Sequence, residues 1–313
     1  MTDELKIQFL GTGAAVPSPR RGLPSLAIIH DGGIILCDIG EGTQMNILSA
    51  GIPPSKIHTI FISHLHGDHI FGLPGFLTSQ QMMDRSNPLT IIGPAGIRRF
   101  YESVREISDF KITYPLYFKE LTENEAGPFL SGPFQVTAKV LHHRSTCYGY
   151  RFSEAAKPGR FNVEKAEQLG IPAGPLRSEL QQGKTIHVNG KNISPGEVLG
   201  PPFPGRSIVF CTDTLPCENT LKLAKNASLL IHDSTFSKAL TERALKTFHS
   251  TSVQAAEMAA RAAVEKLFLW HVSSRHDEND EQEMLNEARG IFPETFLPGD
   301  FDTIEIQRPE QQA

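Results

Sequence analysis

The chain has 313 residues, of which 39% are hydrophobic, and its formal net charge is −5. This length allows one large domain or two modest ones with a sizeable core. No apolar run approaches the ~18 to 20 residues that a membrane span requires, and the net negative charge is not typical of a general nucleic-acid binder.

The amino-terminal sequence MTDELKIQFLG begins acidic and passes directly into a strand, so it lacks the pattern of a secretory signal. We therefore expect a soluble cytoplasmic protein that does not associate with membranes. The cysteines are scattered without CxxC spacing, which favours reduced core residues over a disulfide framework and leaves metal ligation as the alternative. These residues are Cys37, Cys147, Cys211 and Cys217.

The first predicted strand, Leu5–Leu10, ends at the turn Gly11-Thr12-Gly13. A lone GTG sequence is compatible with phosphate binding, but no helix pattern follows it, which favours a plain turn. Two further strands are predicted at Leu26–His30 and Gly33–Asp38, and the Asp31-Gly32-Gly33 sequence between them is typical of a hairpin turn.

Two carboxylates lie at the end of the third predicted strand, where Asp38 is its last residue and Glu41 comes shortly after it. One interpretation is that they orient the metal-binding segment described next from behind its ligands. The alternative is that they cap the predicted helix Thr43–Ser49.

The segment TIFISHLHGDHIFG, at Thr59–Gly72, is the densest cluster of metal-binding side chains in the sequence. Its apolar first part predicts a buried strand, and the polar run around Gly67 predicts a tight turn just beyond the strand end. Burying three imidazoles and a carboxylate without partners would cost about 1 to 3 kcal/mol for each lost hydrogen bond, whereas a divalent metal would coordinate them. The alternative is a surface loop rich in histidine. The metal-capable residues are His64, His66, Asp68 and His69.

Other predicted strands also end in metal-capable residues. Strand Val136–Val140 leads to His142 and His143, Ser207–Cys211 to Asp213, Ala227–Ile231 to His232 and Asp233, and Leu267–Trp270 to His271. Predicted helices at Ile97–Ile107, Ser252–Val264 and Glu278–Ala288 alternate with the strands, Leu89–Ile92 adds a strand, and Ile304–Ile306 is predicted as an edge strand. This alternation indicates an α/β fold, in which ligands collect beyond the strand ends.

The segment Lys157–Gly205 differs from the rest, because 15 of its 49 residues are Gly or Pro. We predict a protruding, partly ordered arm at residues 155–205, with one short helix at Asn162–Leu169, inserted into a single domain of residues 1–313. Residues 151–206 contain eight Lys or Arg against five Glu, a local charge of +3 that is compatible with phosphate contacts. The alternative is a merely solvated loop.

We assign the candidate ligands to two metal positions. His64, His66 and His143 would hold one metal, and Asp68, His69 and His271 the other. Asp213 would bridge them, since a carboxylate has two oxygens to share. Imidazole and carboxylate ligands without thiolates suit Zn²⁺, with Mn²⁺ as an alternative. Two metals about 3.5 to 4 Å apart activate a water and clamp a phosphodiester, which is hydrolytic chemistry.

The pattern HxHxDH resembles the signature of the metallo-β-lactamase fold, an αββα sandwich. The likeness extends further along the chain, and as a whole the sequence resembles the ribonuclease Z family, the tRNA 3′-processing endonucleases. It rests on SKIHTIFISHLHGDHIFGLPG, on KPGRFNVEKAEQLGIPAGPL and ISPGEVLGPP, on His249–Thr251 and on LWHVSSRH.

The resemblance implies a homodimeric enzyme that binds two Zn²⁺ and cuts precursor tRNA after the discriminator nucleotide. It implies that the arm grips tRNA, for which we name Lys157, Arg160, Arg177 and Lys184. It favours His143 over His142 as ligand, because Tyr148-Gly149-Tyr150 follows at the family's spacing. His249 would protonate the leaving 3′-oxygen with support from Asp233, and Asp68 would assist the attacking water as well as bind metal.

The sequence departs from the family pattern in several places. His232-Asp233-Ser234-Thr235 stands where HEAT is usual, so the carboxylate beside His249 is one methylene shorter. Thr212 replaces the glycine of GDT, His276 replaces an aromatic residue after SSR, and GPLRSEL replaces a GPxxGKL-like run. We expect these changes to affect rate and tRNA grip more than metal binding.

Two other functions fit the pattern less well. One is a hydrolase of small phosphodiesters or sulfate esters with the same fold, for which the arm would be irrelevant. The other is a non-catalytic, metal-containing RNA-binding module.

Overall fold

The computed structural model describes residues 3–122 and 127–308. The strands are β1 Leu5–Gly11, β2 Gly13–Ala14, β3 Ser25–His30, β4 Gly33–Cys37, β5 Ile57–Phe61, β6 Leu89–Pro94, β7 Leu116–Leu121, β8 Phe129–Ser131, β9 Phe134–Val140, β10 Tyr148–Glu154, β11 Ile186–Val188, β12 Lys191–Ile193, β13 Ser207–Cys211, β14 Leu229–Asp233, β15 Leu267–Trp270, β16 Val272–Ser273, β17 Thr295–Phe296 and β18 Thr303–Glu305. The helices are α1 Thr43–Ser49, α2 Gly67–Ile70, α3 Gly72–Met82, α4 Ile97–Ser108, α5 Val163–Gln168, α6 Pro175–Gln181, α7 Glu218–Ala224, α8 Thr241–Thr247, α9 Ser252–Ala262 and α10 Glu278–Arg289. None of these helices is both long and apolar enough to cross a bilayer.

Two large mixed sheets form the main body, residues 3–153 with 207–306. In the described part of the chain, the first has the strand order β18-β1-β3-β4-β5-β6-β7 and the second the order β17-β15-β14-β13-β10-β9-β8. Apolar side chains from both sheets form one buried cluster that includes Phe9, Phe61, Phe152, Phe210 and Trp270, so the sheets pack face to face.

Helices cover the outer face of each sheet. Ile60 of β5 and Ile91 of β6 share a buried cluster with Ile47 of α1 and Phe76 of α3. On the second sheet, an equivalent cluster joins strands β13, β14 and β15 to the alanine-rich face of α9 and to α7 and α10. The layers are therefore helix, sheet, sheet, helix, which confirms the predicted αββα sandwich.

Parallel pairing brings the carboxyl ends of β13, β14 and β15 to one edge of the second sheet. Cys211 pairs with His232, and Asp233 pairs with Trp270. The prediction that His232 and Asp233 lie beyond their strand is wrong, because this pairing extends β14 through Asp233. In the first sheet, β4, β5 and β6 are also parallel, so the HLHGDH segment leaves from an aligned edge.

Residues 154–206 form a separate compact unit, to which 307–308 also belong. Its own small core contains Ala166, Ile171, Leu180, Ile186 and Ile193. The prediction of one short helix in this segment is wrong, because α6 and the β11–β12 hairpin are present as well. Pro175 stands in the first turn of α6, where a proline starts a helix rather than breaking it.

The hairpin turn of this unit, Asn189-Gly190, has positive φ angles of 51° and 78°, which is the conformation that an Asn-Gly pair favours. The sequence HVNGKN therefore contains a hairpin signal that the sequence analysis missed. Arg160 and Lys184 are exposed, and neither makes an ion pair with a described residue. The side chain of Arg177 is engaged locally, since its guanidinium donates to the carbonyl oxygen of Ile171.

Candidate metal centre

The HLHGDH segment leaves β5 and turns into the short helix α2, which begins at Gly67. The prediction of a tight turn alone is therefore incomplete. A Cβ atom at Gly67 would lie 2.3 Å from the ring of Phe71, so only glycine fits this position without displacing that ring. The segment then presents His64 and His69 as fully buried side chains, with His66 and Asp68 nearer the solvent.

A first group of donor atoms brings together residues from three distant parts of the sequence. His64 Nε2 lies 2.8 Å from His66 Nδ1, which is 3.4 Å from His143 Nε2. With one carboxylate oxygen of Asp213, these ligand atoms all lie within 4.8 Å of one another. His142, the alternative ligand in the sequence, is exposed and packs its ring against Phe248 instead.

A second group consists of Asp68, His69 and His271, whose ligand atoms also lie within 4.8 Å of one another. The Nε2 atoms of His69 and His271 are 3.3 Å apart. Asp68 Oδ2 lies 3.5 Å from the first and 3.6 Å from the second. The same oxygen accepts a hydrogen bond from Ala15 N, so the loop after the GTG sequence supports this group.

Asp213 faces both groups with different oxygens. Its Oδ1 is 3.3 Å from both His69 Nε2 and His271 Nε2, whereas its Oδ2 is 3.5 Å from His64 Nε2. Asp213 and His271 both have left-handed backbones, with φ of 45° and 62°. Such conformations are uncommon outside glycine and cluster at functional sites, where the surroundings hold them in place.

Asp38 orders the HLHGDH segment from behind. Its fully buried carboxylate accepts hydrogen bonds from the backbone N–H and hydroxyl of Ser63 and from His69 Nδ1 at 2.7 Å. This contact leaves Nε2 of His69 free to bind a cation. Asp38 therefore supports the metal-binding segment, which is the first of the two interpretations given for it. Glu41 is exposed.

Burial and neighbouring charges set the protonation of the imidazoles. Burial, with the charge of His69, lowers the pKa of His64 well below its usual range, and burial also lowers the pKa of His66 and His143. Their nitrogen lone pairs are thus available at neutral pH. Burial opposes the charged form of His69 too, but the carboxylates of Asp213 and Asp38 outweigh it and raise its pKa.

His249 and Asp233 form a hydrogen-bonded pair beside the two groups. His249 Nδ1 lies 2.8 Å from Asp233 Oδ2, and this buried carboxylate also accepts the backbone N–H groups of Thr214 and Thr235. Burial disfavours the imidazolium, but the charge and hydrogen bond of Asp233 outweigh it and raise the pKa of His249 to about 9. His249 is therefore protonated at neutral pH.

One residue that the sequence analysis did not single out lies at the centre of this arrangement. The buried hydroxyl of Thr235 is 2.7 Å from Asp233 Oδ1 and 2.8 Å from His271 Nδ1. Its position in the His232–Thr235 run, two residues after Asp233, was the available signal. The cysteines stay outside the metal-capable groups found among the described residues, and burial raises the pKa of Cys37, Cys147 and Cys211.

The donor set fits divalent metal ions. It combines imidazole nitrogens and carboxylate oxygens that converge within a few ångströms, and such a cluster of buried polar atoms is costly without coordination. A bound cation would be held by groups that already have outer hydrogen-bond partners, such as Asp38 for His69 and Thr235 for His271.

Comparison with known proteins gives a partial match to one family model and relatives that match nearly the whole chain. A family model described as "Anti-Pycsar protein Apyc1" matches residues 5–104. Ribonuclease Z of Limosilactobacillus reuteri is 42% identical over 306 residues, covering 96% of this chain and 99% of the relative. The crystal structure of the short form of human tRNase Z superimposes with a TM-score of 0.70 at 27% identity, covering 96% of this chain and 99% of that one.

The fold is shared more widely. The metallo-β-lactamase fold protein YhfI from Bacillus subtilis has a TM-score of 0.69 at 17% identity, covering 97% of this chain and 100% of that one, a likeness that shows the fold alone. The full-length similarity to ribonuclease Z at 42% identity is more specific. The chain belongs to the ribonuclease Z family of metal-dependent endoribonucleases.

Proposed function

We propose that this protein is a zinc-dependent endonuclease that removes the 3′ trailer of precursor tRNA by cutting after the discriminator nucleotide. The observation that carries the proposal is the arrangement around Asp213, whose two oxygens face two separate groups of donor atoms. The chain's membership of the ribonuclease Z family supports tRNA as the substrate. Imidazole and carboxylate donors suit Zn²⁺, with Mn²⁺ as the alternative.

The proposed ligands are those of the two groups. His64, His66 and His143 would hold one cation, Asp68, His69 and His271 the other, and Asp213 would contact both. Bound there, two divalent cations would bring the pKa of a water towards neutrality and neutralise charge on the phosphodiester.

The remaining chemistry is assigned to side chains of the chain itself. Attack of water on the phosphorus breaks its bond to the 3′-oxygen, and that oxygen needs a proton. His249 would donate it from Nε2, because Asp233 stabilises the protonated imidazole through its hydrogen bond with Nδ1. Asp68 would accept the proton of the attacking water as an ionised carboxylate. It is ionised because contact with His271 and His69 outweighs burial and lowers the pKa of its carboxyl.

Cleavage of a precursor tRNA tests this function directly. Purified protein loaded with Zn²⁺ is incubated with a precursor that carries a 3′ trailer, and the product ends are mapped. We expect one cut after the discriminator, with a 3′-hydroxyl on the tRNA. Protein that retains its metal but leaves the precursor intact would reject the proposal.

The pH dependence of kcat should report the pair of His249 and Asp233. A donor with a pKa raised to about 9 is protonated below that pH, so kcat should fall as the pH rises through it. In Asp233→Asn the neighbouring charge is lost, the pKa of His249 falls, and the alkaline decline should begin about 1 to 2 pH units lower. The control is Glu41→Gln, which removes an exposed carboxylate elsewhere and should leave the pH profile of kcat unchanged. An alkaline limb at the same pH in Asp233→Asn would contradict the assigned proton donor.

Residues 155–205 are proposed as the tRNA-binding arm. Arg160 and Lys184 are exposed and make no ion pair with a described residue, so their charges are suited to phosphate contacts. Lys157 is also exposed, whereas the guanidinium of Arg177 donates to a backbone carbonyl. We expect Arg160→Glu with Lys184→Glu to raise KM for precursor tRNA about tenfold or more and to weaken its salt dependence. Arg160→Lys with Lys184→Arg is the matched control.

The same pair of variants separates tRNA cleavage from hydrolysis of small esters. Turnover of bis(p-nitrophenyl) phosphate needs only the metal centre, so it should be equal in the charge-reversed and charge-conserving forms. If precursor tRNA cleavage were also equal in both, the arm would have no role in binding and a small-ester hydrolase would be favoured.

We also propose that the protein is a homodimer. Helices α1 and α3 contact each other, and Met45, Leu48, Met82 and Met83 on or just after them are exposed. An apolar surface of this kind is suited to a partner subunit. Light scattering of the purified protein should give twice the chain mass, and a monomer at all concentrations would reject the dimer.

A further inference from the structure

We propose that Thr235 is a positioning residue whose single hydroxyl fixes both a metal ligand, His271, and the proton donor pair of Asp233 and His249. The inference rests on the proposed function for the donor pair, while its part that concerns His271 depends only on metal binding. It concerns a residue outside both groups of donor atoms.

The directions of the hydrogen bonds follow from the chemistry of the partners. Asp233 accepts the backbone N–H groups of Thr214 and Thr235, so it is present as an acceptor and the hydroxyl at 2.7 Å must donate to it. A hydroxyl has one proton, so towards His271 Nδ1, at 2.8 Å, the same oxygen can only accept. His271 therefore carries its proton on Nδ1.

This tautomer matters for metal binding. With the proton on Nδ1, the lone pair of His271 Nε2 points to the second group, where Asp213 Oδ1 lies 3.3 Å away. A hydrogen bond to the outer nitrogen thus sets which nitrogen can bind a cation. Thr235 acts on His271 as Asp38 acts on His69, but with a neutral oxygen in place of a carboxylate.

The same hydroxyl reaches the donor pair from its other side. Asp233 Oδ1 accepts a hydrogen bond from Thr235 Oγ1, and Asp233 Oδ2 accepts one from His249 Nδ1 at 2.8 Å. Thr235 Oγ1 is also 3.2 Å from His249 Nδ1. The rings of His249 and His271 stack with centroids 5.2 Å apart and an interplanar angle of 17°. The side chain of Thr235 therefore contacts both imidazoles and fixes the position of one ring relative to the other.

The short side chain of Asp233 makes this support more important. Its carboxylate stands on strand β14, and the structure gives it contacts to Thr235 on one oxygen and to His249 and Thr214 on the other. Removing the hydroxyl would leave a buried His271 Nδ1–H without its partner and would take from Asp233 Oδ1 one of its two donors, leaving the backbone N–H of Thr235. Valine has the shape of threonine but cannot replace the hydroxyl.

The test compares Thr235→Val with Thr235→Ser, which keeps the hydroxyl, and with Thr220→Val. Thr220 is also buried, and its hydroxyl contacts the sulfur of Cys217 and no proposed metal ligand among the described residues. Zn²⁺ affinity of each metal-depleted variant is measured by competition with a chromophoric chelator. kcat and KM are measured on precursor tRNA, and circular dichroism checks that each variant is folded.

We expect Thr235→Val to lose about 10- to 100-fold in affinity for one of the two Zn²⁺ ions and to lower kcat by a similar factor with KM unchanged. Thr235→Ser should recover most of both losses, and Thr220→Val should resemble the parent. Equal Zn²⁺ affinity in Thr235→Val and the parent, or a serine variant no better than valine, would overturn the proposal.

If no variant, including the parent, cut the tRNA, the proposed function would fail while the Zn²⁺ measurement still decided the role of Thr235 at His271. If the valine variant did not fold, the parent and Thr235→Ser would decide: Zn²⁺ affinity and kcat within a few-fold would support the hydroxyl's role, and a serine loss of 10-fold or more would overturn it.

Discussion

Replacing Asp213 with alanine is expected to have the largest effect of any single substitution. The residue supplies one oxygen to each group of donor atoms, at 3.3 to 3.5 Å from three imidazole nitrogens. Its loss would leave both proposed metal positions incomplete. Because even outer partners of metal ligands typically cost 10–100-fold, we expect a loss of about a thousandfold or more in kcat/KM on precursor tRNA.

Metal content and activity should fall together in Asp213→Ala, as measured by elemental analysis of dialysed protein beside the cleavage assay. His142→Ala is the control, because this histidine lies next to a proposed ligand in sequence but packs against Phe248. It should retain both metal and activity. If Asp213→Ala kept two equivalents of metal, the assignment of a shared carboxylate would be wrong.

Replacing His249 with alanine is expected to give the second large effect, with the opposite behaviour of the metal. General acid catalysis typically contributes 10²–10⁴-fold, so we expect kcat to fall by about that factor while KM and metal content stay close to the parent's. The protonated imidazole, stabilised by Asp233, is the group that is lost.

A second substitution sharpens this prediction. Asp233→Ala alone should also lower kcat, and the double variant should lose little more than His249→Ala, because the two residues act as one unit. Additive losses would mean that Asp233 works through another group. A normal cleavage rate in His249→Ala would exclude it as the proton donor.

The strands beside the centre were predictable because their signals are local. Ser207–Cys211 and Leu267–Trp270 are short apolar runs bounded by polar residues, and the structure has them at those limits. The strand before His232 was misplaced by two residues at both ends, because pairing with its neighbours determines where it stops. The carboxylate of Asp233 consequently lies inside the sheet edge and is fully buried.

Residues 154–206 illustrate a different reason for error. Their glycines and prolines were interpreted as loop residues, although Pro175 starts a helix and Asn189-Gly190 closes a hairpin. The same residue types break structure in one position and begin it in another. Which occurs depends on the apolar residues that can be buried nearby, here Leu180, Ile186 and Ile193.

The sequence by itself determined the kind of chemistry. A run of histidines and an aspartate directly after an apolar strand specifies metal-binding side chains within a few residues of one another, because neighbours in the chain cannot be far apart in space. Only the tertiary structure decided which distant residues join them. Two sheets had to pack face to face, and β13, β14 and β15 had to pair in parallel, before Asp213 and His271 reached His69 and Thr235 reached His271. Such long-range contacts depend on register and packing, which no short stretch of sequence encodes.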